Sequence, residues 1–131
     1  MLLVALAVSA VVSASSQARD TRVFELRTYH AAPGKFEALH ARFRDHTNAL
    51  FKKHGMTVVG FWVPMDADKG SADTLVYMLA FMSREAAAAA WKEFGADPEW
   101  IQVKNESQKD GSLTTRIESV FMTATDYSPL K

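Results

Sequence analysis

VFELRTYHAAPGKFEALHARFRDHTNALFKKHG, residues 23–55, decides how this chain is read. Phe24, Leu26, Thr28 and His30 alternate with Val23, Glu25, Arg27 and Tyr29, the period-2 pattern of a β-strand. Pro33-Gly34 then turns the chain. From Lys35 the pattern changes: Phe36, Leu39, Phe43, Leu50 and Phe51 fall on one stripe of a helix. Lys52, Lys53 and His54 suit the negative end of the helix dipole, and Gly55 can adopt the left-handed conformation that ends a helix. All four histidines lie in this stretch: His30, His40, His46 and His54.

Downstream the two periodicities keep alternating. Thr57–Val63 reads as a second strand and Pro64–Asp73 as a polar loop. Thr74–Phe81 is a third strand, its nearly continuous apolar character suggesting burial on both faces. Ser83 is placed to cap a helix that runs through Ala86–Ala90, Trp91 and Phe94 to Gly95. Asp97-Pro98 starts another, with Asp as cap and Pro at the first helical position. Thr115–Thr125 is a fourth strand. Trp91, Phe94, Trp100 and Ile101 are expected in the core.

The order βαββαβ predicts an α+β domain of ferredoxin-like topology, with a four-stranded antiparallel sheet and its helices on one face. The other face would expose more apolar surface than a soluble monomer usually shows. A homodimer joined through that sheet face is therefore expected.

Upstream, Leu2–Val12 is an apolar run too short for the roughly 20 residues of a membrane span, and Ser16-Gln17-Ala18 offers small residues to a signal peptidase. Residues 1–18 are read as a secretory signal peptide and Arg19–Lys131 as one domain. The expectation is a periplasmic or secreted protein with no stable membrane insertion after cleavage. Fifteen Lys and Arg balance fifteen Asp and Glu, so no basic field gathers a nucleic acid. Cysteine is absent, which excludes a disulfide framework, thiolate metal sites and a Cys nucleophile.

Five motifs occur in order: Glu25-Leu26-Arg27-Thr28-Tyr29; Pro33-Gly34-Lys35; Arg42-Phe43-Arg44-Asp45-His46-Thr47; Asp97-Pro98-Glu99-Trp100; and Thr125-Asp126-Tyr127-Ser128-Pro129-Leu130. Together they make the chain resemble the NIPSNAP family. The resemblance implies a dimeric α+β barrel and little about chemistry. Related dimeric barrels include haem-degrading and cofactor-independent monooxygenases, an analogy of fold alone.

Stepping 100° per residue along Lys35–Gly55 puts His40, Thr47 and His54 within the apolar stripe and His46 at its edge, with Asp45, Asn48 and Lys52 opposite. Polar groups facing the sheet need partners or a cavity. His30 is expected to face the same layer. One reading is a pocket for an apolar or aromatic small molecule between helix and sheet, lined by Arg27, Tyr29, His30, His40, Thr47, Trp62 and Tyr77. A second makes His46 the general base of a cofactor-independent monooxygenase or isomerase. A third is a protein-interaction module without a small ligand. The ordinary alternative for each histidine is packing, or exposure at a helix end, and for Arg27 it is pairing with Glu25. His40 and His46 are about 120° apart on the helix, so they cannot chelate together, and no metal is expected. No cofactor is expected either, with haem through His46 or His30 as an open alternative. Asp66–Asp73 imitates a calcium loop but departs from it in glycine position and final ligand, and reads as a solvated turn.

Overall fold

The computed structural model describes residues 22–131. The expected signal segment and the cleavage point after Ala18 lie outside the described residues. β1 spans Val23–Ala31, β2 Thr57–Trp62, β3 Thr74–Phe81 and β4 Thr114–Thr123. They form one sheet in the order β2-β3-β1-β4, and every neighbouring pair is antiparallel. That order is the one a βαββαβ chain produces when each crossover skips one strand, the ferredoxin-like arrangement expected from the sequence.

The first crossover is a single helical rod in three parts: α1 (Phe36–Arg42), a π-helical segment (Phe43–Thr47) and α2 (Asn48–Lys53). In the π segment the Asn48 N–H reaches back five residues to the Phe43 carbonyl. The rod ends where its sequence says it should. Gly55 takes φ +67°, its N–H meets the Lys52 carbonyl at 3.0 Å, and the Met56 N–H meets the Phe51 carbonyl at 2.9 Å. This pair of bonds closes the helix and carries Met56 back into the core.

The second crossover holds α3 (Arg84–Ala96) and α4 (Pro98–Ser107). The Ser83 hydroxyl accepts from the Ala86 N–H at 3.0 Å, and Asp97 Oδ1 accepts from the Glu99 N–H at 2.9 Å. Both caps fall where the sequence puts them, each worth about 1 kcal/mol.

Between helices and sheet lies an aromatic core. Tyr77 touches Tyr29, Phe43, Phe51 and Phe61 at centroid distances of 5.3–5.8 Å. Phe51 adds Trp91 and Phe94, and Phe94 adds Trp100. Phe51→Ala would open a cavity at the meeting point of both helical layers, at a cost of about 3–5 kcal/mol. Ile101, expected here, is instead exposed, on the solvent side of α4.

The residues of β1 in this core, Tyr29 and Ala31, identify the helix-covered face. Its opposite carries Leu26, Val76, Met78, Val120, Met122 and Trp62, with His30 at one end. Trp62 is 50 % exposed and Val120 53 %. The Trp62 ring lies across Gly60, where a Cβ would stand only 2.8 Å from it.

Candidate functional site

β1 sends three polar side chains under the helices in succession, and these organise the helix–sheet interface. Glu25 is 3 % exposed. The Trp91 indole N–H donates to its Oε1 at 2.6 Å and the Ser119 hydroxyl to its Oε2 at 2.6 Å, while Arg27 Nε stands 3.6 Å from Oε2. A buried carboxylate is tolerable only when bonded and charge-compensated in this way. Arg27 in turn stacks over Trp91, its guanidinium carbon 4.2 Å from the ring centroid, and 5.7 Å from that of Tyr29.

Next along the strand, the Tyr77 hydroxyl donates to the Tyr29 hydroxyl at 3.0 Å. Burial, reinforced by Tyr29, pushes Tyr77 well above the ordinary phenol range. The row Glu25, Arg27, Tyr29, Tyr77 thus forms one polar seam through an otherwise apolar layer.

The seam opens beside α3 into a cavity of about 450 Å³ lined by Glu25, Arg27, Arg84, Ala88, Trp91 and Phe121. Arg84 lies 4.6 Å over the Phe121 ring. Two guanidinium groups on aromatic faces, a carboxylate already bonded at the floor and the small Ala88 make a slot for a flat molecule. Weak hydration of guanidinium favours this stacking, and its free N–H groups would meet an acceptor.

A second, smaller cavity of about 230 Å³ lies between the helical rod and the β2 side of the sheet, lined by His40, Phe43, Arg44, Asn48, Phe61 and Leu75. The His40 ring packs at a tilt against Phe36, with centroids 4.2 Å apart. Asn48, expected on the solvent side, faces this cavity instead. Thr47 is buried as expected, and its hydroxyl has no hydrogen-bond partner among the described residues.

The other sequence-predicted residues do not join one site. His46 is exposed and borders the groove between the rod and α4. The projection that placed it at the edge of the sheet-facing stripe assumed α-helical steps, and the π segment, with its wider turn, changes the phase within residues 43–47. His30 does not face the helical layer: it lies on the helix-free face, with Nε2 2.9 Å from Glu118 Oε2 and 3.1 Å from an Arg116 Nη2. The strand alternation that puts Tyr29 inward puts His30 outward. His30 holds the Glu118 carboxyl below its ordinary range. Trp62 sits on the same helix-free face, paired with Val76 and on the opposite side of the sheet from the seam. His54, at the end of the rod, is paired with Asp97 Oδ2 at 2.7 Å, and Lys53 reaches the same oxygen at 2.8 Å. Those partners, Lys53 first, hold Asp97 well below the usual carboxylate range.

Sequence reading missed Glu25, Trp91 and Ser119 as a unit, because they lie 66 and 94 residues apart. The one signal available was a glutamate on the strand face shared with Tyr29. Among the described residues no three His, Asp or Glu side chains converge as metal ligands, and no helix is long and apolar enough to cross a membrane.

This chain belongs to the NIPSNAP family, whose model matches residues 24–129. Among solved structures it is similar to a NIPSNAP family protein of unknown function from Agrobacterium tumefaciens, at 25 % identity over 86 % of this chain and 96 % of that one, with a TM-score of 0.73. A second NIPSNAP family protein from that organism superposes with a TM-score of 0.72 at 21 % identity, covering 84 % of this chain and 99 % of its own. An uncharacterized NIPSNAP-like domain protein from Burkholderia xenovorans gives 0.71 at 17 %, with 84 % and 90 % covered. These last two speak for the fold alone. No curated protein matches the chain.

Proposed function

We propose that this NIPSNAP domain is an exported homodimer, periplasmic or secreted after loss of residues 1–18, whose subunits each bind a flat apolar or aromatic small molecule between helix and sheet. The observation that carries the ligand reading is the slot beside α3, where Arg27 stacks on Trp91 above a fully bonded Glu25 at the floor of a cavity of about 450 Å³. That volume lies within the usual range for small-molecule sites, and an apolar lining with a few fixed polar groups is their usual composition. A ring would insert against Trp91 and Phe121, and an acceptor substituent on it would meet Arg27 and Arg84. The dimer reading is supported by the half-exposed Trp62 and Val120 and the neighbouring Leu26, Val76, Met78 and Met122 on one sheet face. A second copy presenting the same face would cover it in a two-fold, self-complementary contact.

The test is fluorescence titration with a panel of aromatic acids, phenols and neutral bicyclic compounds. Binding should change Trp91 emission in wild type, leave Trp91→Phe silent and weaken at least tenfold in Arg27→Met. A panel that perturbs neither emission nor melting temperature at millimolar concentration rejects the slot as a binding site.

A further inference from the structure

Arg42 presents a feature that the slot beside α3 does not use. It sits at the junction of α1 with the π segment and is 7 % exposed, yet no carboxylate of the described residues lies within 4.0 Å of it. Its Nε has no acceptor among the described residues. The one hydrogen bond from its guanidinium to a described residue is a long one, Nη1 to the Ser107 hydroxyl at 3.4 Å, and the group rests 5.2 Å over the Trp100 ring. Burial lowers its pKa, as expected for a cation removed from water without a counter-charge. A buried charge of this kind is costly to keep unless something pairs with it.

Arg42 also lines a groove of about 580 Å³ between the rod and α4. Ala38, Ala41 and Val103 line the groove with small apolar side chains, and His46, Gln102 and Ser107 bring polar ones. The carboxylates bordering it are largely spoken for: Glu106 pairs with Lys109 at 3.1 Å and Glu99 with Lys53 at 3.4 Å. Asp45 remains, exposed to water. The local balance therefore leaves one buried, uncompensated positive charge beside an apolar trough.

We infer that this groove binds a small monocarboxylate, its carboxylate paired with the Arg42 guanidinium and its hydrocarbon part lying along Ala38, Ala41 and Val103. A planar carboxylate matches the guanidinium fork. The Ser107 hydroxyl and the Gln102 amide are further donors, and His46 adds positive charge at the rim when protonated. A phosphate, lacking a hydrocarbon part, would leave the apolar trough of Ala38, Ala41 and Val103 unfilled. The π segment contributes by position: it begins immediately after Arg42, with Phe43 in the core and His46 at the groove. Such segments are frequent at functional sites. This site is separate from the slot beside α3 and stands or falls independently of it.

The experiment is NMR and calorimetric titration of the purified chain with hexanoate, with hexanol as the neutral counterpart and inorganic phosphate as the alternative anion. Hexanoate should shift the Arg42 Nε–H resonance and the backbone amides of His46 and Ser107, while hexanol and phosphate leave them in place. Arg42→Met should bind hexanoate at least tenfold more weakly while keeping the Trp91 emission response of the other site. It should also melt no lower than wild type, because the substitution removes an unpaired buried charge. Unchanged hexanoate affinity in Arg42→Met, preference for phosphate, or hexanoate shifts confined to residues outside the groove would each overturn the inference. Should Arg42→Met not fold, the wild-type resonance shifts decide the question alone, and their absence at millimolar hexanoate overturns it.

Discussion

Removing one hydroxyl from the Tyr29–Tyr77 pair should cost more than removing both would lead one to expect. Tyr77 is 0 % exposed and Tyr29 8 %, and their hydroxyls bond to each other at 3.0 Å. Each single Phe substitution leaves the partner's hydroxyl buried without a bond, which costs about 1–3 kcal/mol. Tyr29→Phe should be the worse of the two, because the hydroxyl it orphans is the more deeply buried. In the double substitution no orphan remains, so its loss should fall short of the sum of the singles by about 1 kcal/mol. Urea denaturation followed by circular dichroism at fixed protomer concentration measures all four corners of the cycle, and midpoint shifts at constant m convert to stability differences. The same pair carries a pH signature. Because burial raises Tyr77 in the folded state, its neutral form stabilises the fold below pH 10, the unfolded tyrosine value, and that contribution is lost as the pH rises above it. Tyr77→Phe should therefore narrow its deficit against wild type above pH 10. Additive single losses and a flat alkaline difference would together show that the two hydroxyls are separately hydrated and that the polar seam is not continuous there.

Asp97→Asn keeps the cap on α4 but removes the charge facing Lys53 and His54. Since the folded Asp97 titrates below its ordinary value of 3.8, its stabilisation is present above about pH 4 and is lost as the pH falls through the folded value. Acid titration of stability should show wild type falling more steeply than Asp97→Asn below pH 4, the two curves approaching each other. On the helix-free face, Val120→Asp should convert the proposed dimer to a monomer by light scattering with unchanged far-ultraviolet dichroism. A wild type that scatters as a single protomer at micromolar concentration would refute the sheet-to-sheet assembly.

Much of the architecture could be read from local patterns, for a physical reason. Ser83, Asp97-Pro98 and Gly55 act within one turn of their own position, so their caps are legible without any tertiary information. Strand alternation likewise sorts Phe24, Leu26, Thr28 and His30 from Val23, Glu25, Arg27 and Tyr29. The order of those elements was sufficient for the ferredoxin-like topology, and five short motifs in succession for the resemblance to the family. Which of the two sheet faces receives the helices was not contained in the alternation, and His30 was assigned to the wrong layer on that account. Nor does a periodicity read at a constant step reveal a π turn, which is why His46, expected near the sheet, stands in water. The Glu25–Trp91–Ser119 cluster joins three elements far apart in the chain, and only the packing of α3 onto β1 and β4 brings them within bonding distance. Local hydrogen bonds and burial period determined the elements, whereas the placement of charge in the interior was decided by contacts that exist only once those elements have packed.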